Sequence, residues 1–515
     1  MADRRALSLL MPGVVALLLL FTGSAQADST TPEGLRLANL ENSRIQAMAR
    51  LSLSRAAHQP FAATFPPTGE ETIVLPAREV WYSVLEVRAL FPAAFEAGAD
   101  FLLLHDHIVV APGGTLDIRG PLDLRLASGS GRMTSIAGVG ATIHVGGGGP
   151  VSISSWDPAA RAPDQTLEDG RAFVLMLTGQ MDISDATFRN LGFGTGATSG
   201  VAWKGVPEQP AGGSVSGTRF EGNFFGAYTF QSDAMRWIGN VFANNVVYGF
   251  DPHDYSNHFV VQGNEAFGNG RHGIIFSRGC SGNVITGNSS HDNAWHGIVL
   301  DDGRVREDGD PRHVAAVPSN DNVIENNQVW NNGLVGIALE GGTGNVVRDN
   351  VISHGRFGIR LKDDASRNQI TGNSISGSTV FGVFAVNGSD ANDISGNHVA
   401  GGKGGFVFRD SPGNHMTANQ VSGVRGHAVA VIGNAGTTEI TGNSLDGQGS
   451  SAIDLQRAAD ASSVRASNDQ SSWDDYWLAT LFRTHPILGP WMFVLLVPLL
   501  LSSLVWVRRM LSGAR

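Results

Sequence analysis

The sequence contains a single cysteine, Cys280, and few positively charged residues for its length of 515. One cysteine excludes both an intramolecular disulfide framework and a cysteine-based zinc site. The 36 lysines and arginines are outnumbered by 47 aspartates and glutamates, which gives a net charge of -11. A nucleic-acid-binding protein needs a basic face to neutralise phosphates, so this balance argues against that class. A polyanionic ligand would need a local basic groove.

The first 27 residues have the pattern of a signal peptide. Arg4 and Arg5 precede an apolar run from Leu7 to Phe21, and the small-x-small sequence 25–27 follows as a cleavage site. We therefore expect the mature protein to be exported to the periplasm.

The segment 487–507 has 21 residues without a charge, which is long enough to cross a bilayer as a helix. Arg508 and Arg509 follow directly, and positive residues favour the cytoplasmic side. This pattern predicts one C-terminal transmembrane helix that anchors the exported protein in the inner membrane, with a cytoplasmic tail at 508–515.

An asparagine recurs through the middle of the chain, mostly at intervals of 22 to 24 residues. These positions are Asn223, Asn240, Asn264, Asn288, Asn327, Asn350, Asn373, Asn397, Asn419 and Asn443. A second marker, a glycine followed by an apolar residue, keeps the same period, as in His272-Gly273-Ile274 and His296-Gly297-Ile298. Repeats of this length indicate a solenoid, and short runs of Val, Ile and Phe broken by Gly-Asn are typical of strands and turns. We predict an all-β protein, a parallel β-helix with one coil per repeat, in which the asparagines form a structural ladder.

Counting from each repeat glycine gives the direction of the side chains. The first and third residues after the glycine are apolar in almost every coil and are predicted to point inward. The second and fourth residues then point outward, which places Asp251 beside His253. The fourth position continues as a polar column through Ser277, Asp301, Glu340 and Lys362. We expect a groove with chemical function along this column.

The interval between Gly297 and Gly336 is 39 residues, and the additional residues fall in the charged segment 301–321. Long loops on a regular scaffold often carry function, although a solvated excursion remains an alternative. The histidines of this region lack a ligand spacing, and tandem calcium nonapeptides are missing, so we expect no metal and no cofactor.

The segment Tyr248–Asp254, with the sequence Tyr-Gly-Phe-Asp-Pro-His-Asp, resembles a signature of the mannuronan C5-epimerases, which modify alginate. His272–Arg278, Phe225–Tyr228 and Ser155–Asp157 resemble further segments of that family. The resemblance covers about residues 151–300. It implies a right-handed parallel β-helix that converts β-D-mannuronate residues of a polymer to α-L-guluronate, without calcium.

The resemblance also implies roles for individual residues. His253 would be the base that removes the C5 proton, Arg278 would neutralise the carboxylate, and Asp251 would orient the base or share in neutralisation. Tyr248, or a water molecule, would return a proton from the opposite face. The remaining side chains of the groove are predicted to bind substrate: Asp254, His272, Tyr228, Ser277 and Asp301.

Other classes remain open at this stage. A polysaccharide lyase shares the first step but expels the C4 oxygen, and a non-catalytic polysaccharide-binding export factor would need only the groove. A glycoside hydrolase would favour paired acids, which the His/Arg pair does not resemble. We expect an acidic polysaccharide as substrate and contact with an exopolysaccharide export complex.

The predicted segments are a signal peptide (1–27), an N-terminal cap with a helix near 35–57 (28–100), the catalytic β-helix (101–457), a linker (458–486), the membrane helix (487–507) and the tail (508–515).

Overall fold

The computed structural model describes residues 31–194, 196–304, 315–456 and 467–476, together with residues 497, 501, 502, 504 and 505. Over these residues the chain winds into a parallel β-helix with three sheets, so the predicted solenoid is confirmed. Each coil contributes a strand to each sheet. The described residues also include the α-helices α1 (Pro32–Ser54) and α2 (Val84–Leu90).

Sheet 1, which carries the candidate site, has 16 strands among the described residues. They are Phe61–Phe65, Glu70–Leu75, His107–Val110, Ser135–Val139, Phe173–Leu177, Val201–Lys204, Ala227–Phe230, Phe250–His253, Ile274–Ser277, Ile298–Asp301, Val335–Glu340, Phe357–Lys362, Phe381–Val386, Gly404–Arg409, His427–Ile432 and Ile453–Gln456.

Sheet 2 runs alongside it with 14 described strands. They are Tyr82–Ser83, Thr115–Ile118, Thr142–Val145, Gln180–Ser184, Ser214–Ser216, Arg236–Ile238, Val260–Gln262, Val284–Thr286, Val323–Glu325, Val346–Arg348, Gln369–Thr371, Asp393–Ser395, His415–Thr417 and Glu439–Thr441.

Sheet 3 has 18 strands within the described ranges. They are Phe95–Ala97, Leu102–Leu104, Leu122–Gly129, Arg132–Met133, Val151–Asp157, Ala162–Pro163, Ala186–Arg189, Arg219–Glu221, Val241–Ala243, Glu265–Phe267, Ser289–His291, Gln328–Trp330, Val351–Ser353, Ser374–Ser376, His398–Ala400, Gln420–Val424, Ser444–Gly449 and Trp473–Asp475.

The predicted direction of the side chains is confirmed in the coils that carry the site. The inward residues Phe250, Ile274, Ile298, Ile337 and Ile359 are buried in one continuous core cluster. The strands that carry these residues pair in register. Such a fixed register is expected when one face of each strand packs on a core. Outward residues of neighbouring coils therefore lie side by side.

Helix α1 covers the outer face of sheet 1 at its N-terminal end. Thr31 caps the helix by accepting a hydrogen bond from the Gly34 amide at 3.0 Å, and Pro32 occupies the first turn, where it needs no amide partner. Ile45 and Met48 pack on apolar residues of the first coils. The outer face is thus occupied here, and the groove lies farther along the solenoid.

A buried polar network fixes α1 to the sheet. Arg44 donates hydrogen bonds to both carboxylate oxygens of Glu41, at 2.7 and 3.0 Å, to Thr72 at 3.1 Å and to Ser135 at 2.6 Å. All four side chains are buried. A buried charge is tolerated only when it is paired and hydrogen-bonded, and this network meets that condition.

Asparagine ladders run inside the turns, as predicted. The side-chain carbonyl of each asparagine accepts a hydrogen bond from the backbone amide of the preceding ladder member. For example, the Asn264 amide donates to Asn288 Oδ1 at 2.9 Å. The structure divides the predicted series: Asn240 to Asn443 form one ladder, whereas Asn223 belongs to a second ladder that continues to Asn245. The 17-residue interval between Asn223 and Asn240 reflects this change of ladder.

The parallel pairing begins before residue 101. The strand Glu70–Leu75 pairs in parallel with His107–Val110, because these early apolar residues close the first coil. At the other end Trp473–Asp475, within the predicted linker, pairs with Ser444–Gly449. The predicted signal peptide lies outside the described residues, and so does nearly all of the predicted membrane helix. Among the described residues, no helix is long and apolar enough to cross a membrane.

We expect Asn288→Ala to lower the free energy of unfolding by about 3 kcal/mol, because buried partners on both sides lose their hydrogen bonds. Asn288 bonds to Asn264, Asn327 and the Val261 carbonyl. Chemical denaturation followed by circular dichroism measures the change. The matched control is Asn434→Ala, which alters an exposed asparagine of the solenoid. Equal stability of the two variants would show that the ladder contributes little.

Candidate active site

The candidate site lies on the outer face of sheet 1, where five consecutive coils place polar side chains side by side. His253 pairs with Ser277, Ser277 pairs with Asp301, and the column continues through Glu340 to Lys362. The predicted polar column is therefore confirmed. These side chains are less accessible than an outward direction suggests: Asp251 is 1% exposed and His253 is 9% exposed.

Asp254 connects the two principal residues of the site. One of its carboxylate oxygens accepts a short hydrogen bond from His253 Nδ1, and the other accepts one from Arg278 Nε at 2.9 Å. The structure thus brings together His253, Arg278 and Asp254. The residue that holds the imidazole is Asp254, which was predicted to bind substrate, whereas Asp251 was predicted to orient the base or to share in neutralisation.

The backbone explains how Asp254 and Arg278 reach the groove. Both follow directly after a strand of sheet 1 and have positive φ values, +37° and +62°. This left-handed conformation is costly for residues with a side chain and is maintained only where the surroundings enforce it. Here the amides of Asp254 and Arg278 donate to the Ser277 and Asp301 carbonyls of the next coil, at 2.8 and 2.9 Å. The chain bends at the same point in both coils.

The described part of the 301–321 insertion packs against this bend. The Gly279 amide donates to the Val317 carbonyl at 2.8 Å, and Arg278 Nη1 lies 3.4 Å from the Ala315 carbonyl oxygen. The Val317 amide in turn bonds to the Asp302 carbonyl at 2.9 Å. The insertion therefore helps to hold Arg278.

The charges of the central triad stabilise one another. Burial alone would raise the pKa of Asp254, but its hydrogen bonds with His253 and Arg278 lower it, so the carboxylate is ionised. Burial would likewise lower the pKa of His253, yet the hydrogen bond to Asp254 and the charge of Asp251 raise it. Because the Nδ1 proton is held by Asp254, neutral His253 carries its lone pair on Nε2. This is the arrangement of a general base.

Asp251 is a second carboxyl group with a different charge state. Burial raises its pKa to about 7, against the opposing effect of His253. Its Oδ1 atom is buried and makes no hydrogen bond within the described residues. Asp251 pairs in register with Tyr228, whose pKa burial raises well above 10. Asp251 therefore gains and loses its proton near neutral pH, and in its protonated form it is a hydrogen-bond donor beside an ionised carboxylate.

Lys204 is a site residue that the sequence analysis did not identify. It pairs with Phe230, which pairs with His253, so Lys204 lies two coils before the base in the same outward column. Burial lowers the pKa of Lys204 to about 8, partly offset by Asp254, and its Nζ lies 4.9 Å from the centre of the Phe230 ring. Lys204 could have been identified from the sequence by taking the same outward position two coils before His253.

The other predicted residues flank this centre. Tyr248 packs on His272 and Phe225, with ring centres 5.2 and 5.0 Å apart, while Tyr228 is the tyrosine beside His253, at 6.0 Å. His272 also lies 4.8 Å from His296, and burial lowers the pKa of both imidazoles well below 6.5, so both are neutral.

One group in the described part of the chain has the residue types of a metal site: Glu41, Glu70 and His107. Its geometry does not suit a metal. Arg44 already neutralises Glu41. His107 Nδ1 accepts the Ser135 amide at 3.1 Å, which places the proton of neutral His107 on Nε2, the nitrogen that faces Glu70. The group belongs to the network that holds α1.

Two family models match parts of the chain. Residues 173–310 match "Right handed beta helix region", and residues 304–460 match "Periplasmic copper-binding protein (NosD)". The first match gives the handedness of the solenoid and contains the whole His253, Asp254 and Arg278 triad. The chain is a right-handed parallel β-helix protein with a cluster of ionisable side chains on the outer face of sheet 1.

Comparison with curated proteins narrows this class. The chain is 28% identical over 185 residues to "Mannuronan C5-epimerase" of Pseudomonas aeruginosa, covering 33% of each chain. It is 30% identical over 185 residues to "Mannuronan C5-epimerase AlgG" of Azotobacter vinelandii, covering 33% of this chain and 34% of that one. The resemblance seen in the sequence is confirmed, although these alignments span only about a third of the length of the relatives.

Comparison with solved structures concerns the fold. The crystal structure of "the periplasmic alginate epimerase AlgG" superimposes with a TM-score of 0.56 at 19% identity, covering 78% of this chain and 85% of that one. The shared β-helix therefore extends well beyond the segment in which the sequences are similar.

We expect Asp254→Asn to lower the pKa of His253, because burial remains while the negative charge that raises this pKa is removed. NMR titration of the histidine side chains measures the shift. Asp233→Asn is the control, since Asp233 pairs with the exposed His258 at 2.7 Å and should leave His253 unchanged. An unaltered His253 pKa in the Asp254 variant would contradict the assigned hydrogen bond.

Proposed function

We propose that this protein is a mannuronan C5-epimerase that converts mannuronate to guluronate residues within an alginate-like polymer. The observation that carries the proposal is that one carboxylate, Asp254, holds both a base and a cation, His253 and Arg278. The similarity to named epimerases supports the same activity.

The reaction must overcome the very weak acidity of a proton next to a carboxylate. Positive charge near the substrate carboxylate lowers this barrier, because the electrons of the C5–H bond move towards the carboxylate as the proton leaves. Arg278 and Lys204 supply this charge. In its protonated form, which is partly populated at neutral pH because its pKa is about 7, Asp251 donates a hydrogen bond to the same carboxylate.

His253 Nε2 takes the C5 proton. The resulting enediolate-like intermediate then receives a proton at C5 from the opposite face, from Tyr248 or from a water molecule, and the configuration at C5 is inverted. Asp254 does not touch the substrate in this scheme; it is a positioning residue that holds the Nδ1 proton of His253. His272, Tyr228, Ser277 and Asp301 line the groove.

A lyase would form the same intermediate and then expel the C4 oxygen, leaving an unsaturated sugar. We favour epimerisation because of the similarity to named epimerases. The match to a copper-binding family does not lead us to propose copper. Within residues 304–460, the described part holds no group of three His, Cys, Asp or Glu side chains close enough to share a metal ion.

We expect His253→Gln to reduce C5 exchange at least about a hundredfold, because the base is lost while the volume is nearly kept. Proton NMR of polymannuronate in deuterated buffer measures both exchange and guluronate formation, and absorbance of unsaturated chain ends reports lyase activity. His291→Gln, on sheet 3, is the matched control. In the unaltered protein the rate should rise with pH as His253 loses its proton, and should fall at higher pH as Asp251 and Lys204, with pKa values of about 7 and about 8, lose theirs.

Undiminished exchange in the His253 variant would show that His253 is not the base. Unsaturated chain ends formed without guluronate would show that the protein is a lyase and not an epimerase.

We further propose that the enzyme acts in the periplasm on nascent polymer, exported by residues 1–27 and held at the inner membrane by residues 487–507. A solved structure with the same fold is named a periplasmic epimerase, which supports the compartment. Tethering would raise the local concentration of enzyme near an export complex.

Removal of the residues after Tyr476 should release an active soluble protein, since the strand Trp473–Asp475 is retained. In cells this variant should convert less of the exported polymer than the full chain does, as measured by NMR of the secreted polysaccharide. Cell fractionation reports the location of both proteins. A truncated protein that remains in the membrane fraction would contradict the anchor.

A further inference from the structure

Trp295 is an exposed aromatic residue on the edge of the groove. Its amide donates to the Arg271 carbonyl at 2.9 Å, and the Arg271 amide donates to the Val247 carbonyl at 2.7 Å. These three residues therefore occupy equivalent positions in successive coils. Val247 lies before the strand Phe250–His253, whereas His253 is its last residue, so Trp295 lies two coils farther along the solenoid and at the edge of sheet 1 opposite the column of His253.

The indole ring is held in place by neighbouring side chains. The Arg271 guanidinium lies 4.7 Å from the centre of the ring, within the range of a cation–π contact. The imidazole of His272, whose other contacts are with Tyr248 and His296, meets the indole edge-on at 5.4 Å. Yet 40% of Trp295 remains exposed. A large apolar surface is thus presented at a fixed orientation beside the groove.

Exposure alone does not make such a ring a binding site. Trp81 is 52% exposed and also has a ring partner, His144, at 4.8 Å, but it lies beside sheet 2 at the N-terminal cap. Trp295 differs in its position next to the column of Tyr248, His272 and His296, and in its contact with an arginine.

The chemistry of this edge suits an acidic sugar. One face of a pyranose ring presents C–H groups that stack on an aromatic surface, and a uronate adds a carboxylate that an arginine attracts. Because His272 and His296 are neutral, Arg271 brings positive charge to this part of the edge.

Successive coils of a β-helix are about 4.8 Å apart. A sugar residue in an extended 1,4-linked chain advances by a similar distance, so the polymer and the solenoid remain in step over a few units. Building on the proposed function, we infer that Trp295 and Arg271 form a uronate-binding subsite for a sugar of the polymer beyond the reacting one, on the edge of the groove opposite His253. The subsite strengthens binding of the polymer and leaves the proton transfer unchanged.

The test compares Trp295→Ala with Trp81→Ala in the full-length protein. With polymannuronate, the Trp295 variant should show a KM raised roughly three- to tenfold, with kcat for C5 exchange within twofold of the unaltered protein. With oligomannuronates of increasing length, it should lack the gain in kcat/KM that appears once the chain reaches Trp295. Arg271→Gln should show a smaller change in the same direction, and Trp81→Ala should show none.

Equal KM values for the two tryptophan variants would overturn the subsite while leaving the epimerase proposal intact, and so would a loss confined to kcat. Calorimetric titration with polymannuronate gives a reading that does not depend on activity. Binding that is weakened by Trp295→Ala in a protein without exchange activity would support the subsite and reject the epimerase. A protein that neither binds nor exchanges would overturn both.

Discussion

Parallel pairing between successive coils is the constraint on which the rest of this structure depends. It places residues about 24 positions apart in the sequence next to each other, as in the pairing of His253 with Ser277. The asparagine ladders satisfy the backbone amides of the turns and so keep each coil in register with the next. No single coil contains all the side chains of the site, so their relative positions depend on how regularly the coils stack.

The site itself is a cluster of charges on a partly covered face. Buried ions are costly unless they are paired, and Asp254 meets this requirement for His253 and Arg278 together. The same pairing sets the chemistry, because it raises the pKa of the imidazole and fixes which nitrogen carries the lone pair. Stability and reactivity therefore depend on one carboxylate.

Sequence similarity to the epimerases covers about a third of the chain, whereas the solenoid extends over most of the described residues. Helix α1 occupies the outer face before the site, and the coils after it continue the groove towards Lys362. Of the residues proposed to contact the polymer, Lys204 and Tyr228 lie on the N-terminal side of His253 and Trp295 lies on its C-terminal side. In the proposed mechanism the proton transfer involves two or three coils, while polymer binding extends over more of them.

The sequence by itself determined the solenoid, its period, the inward and outward positions and the residues His253, Asp251 and Arg278 as candidates. All of these follow from periodicity and a local motif, which are properties of residues close together in the chain. The role of Asp254 required the structure, whereas Lys204 follows from the sequence register once this is extended two coils before His253. Asp254 acts through a bend with positive φ, and Lys204 reaches the site from a coil 49 residues earlier than His253. Only the tertiary structure decided that these outward residues are buried and paired, and burial and pairing together shift their pKa values. The reason is physical: desolvation and charge pairing depend on distances between coils, which a pattern along one chain does not contain.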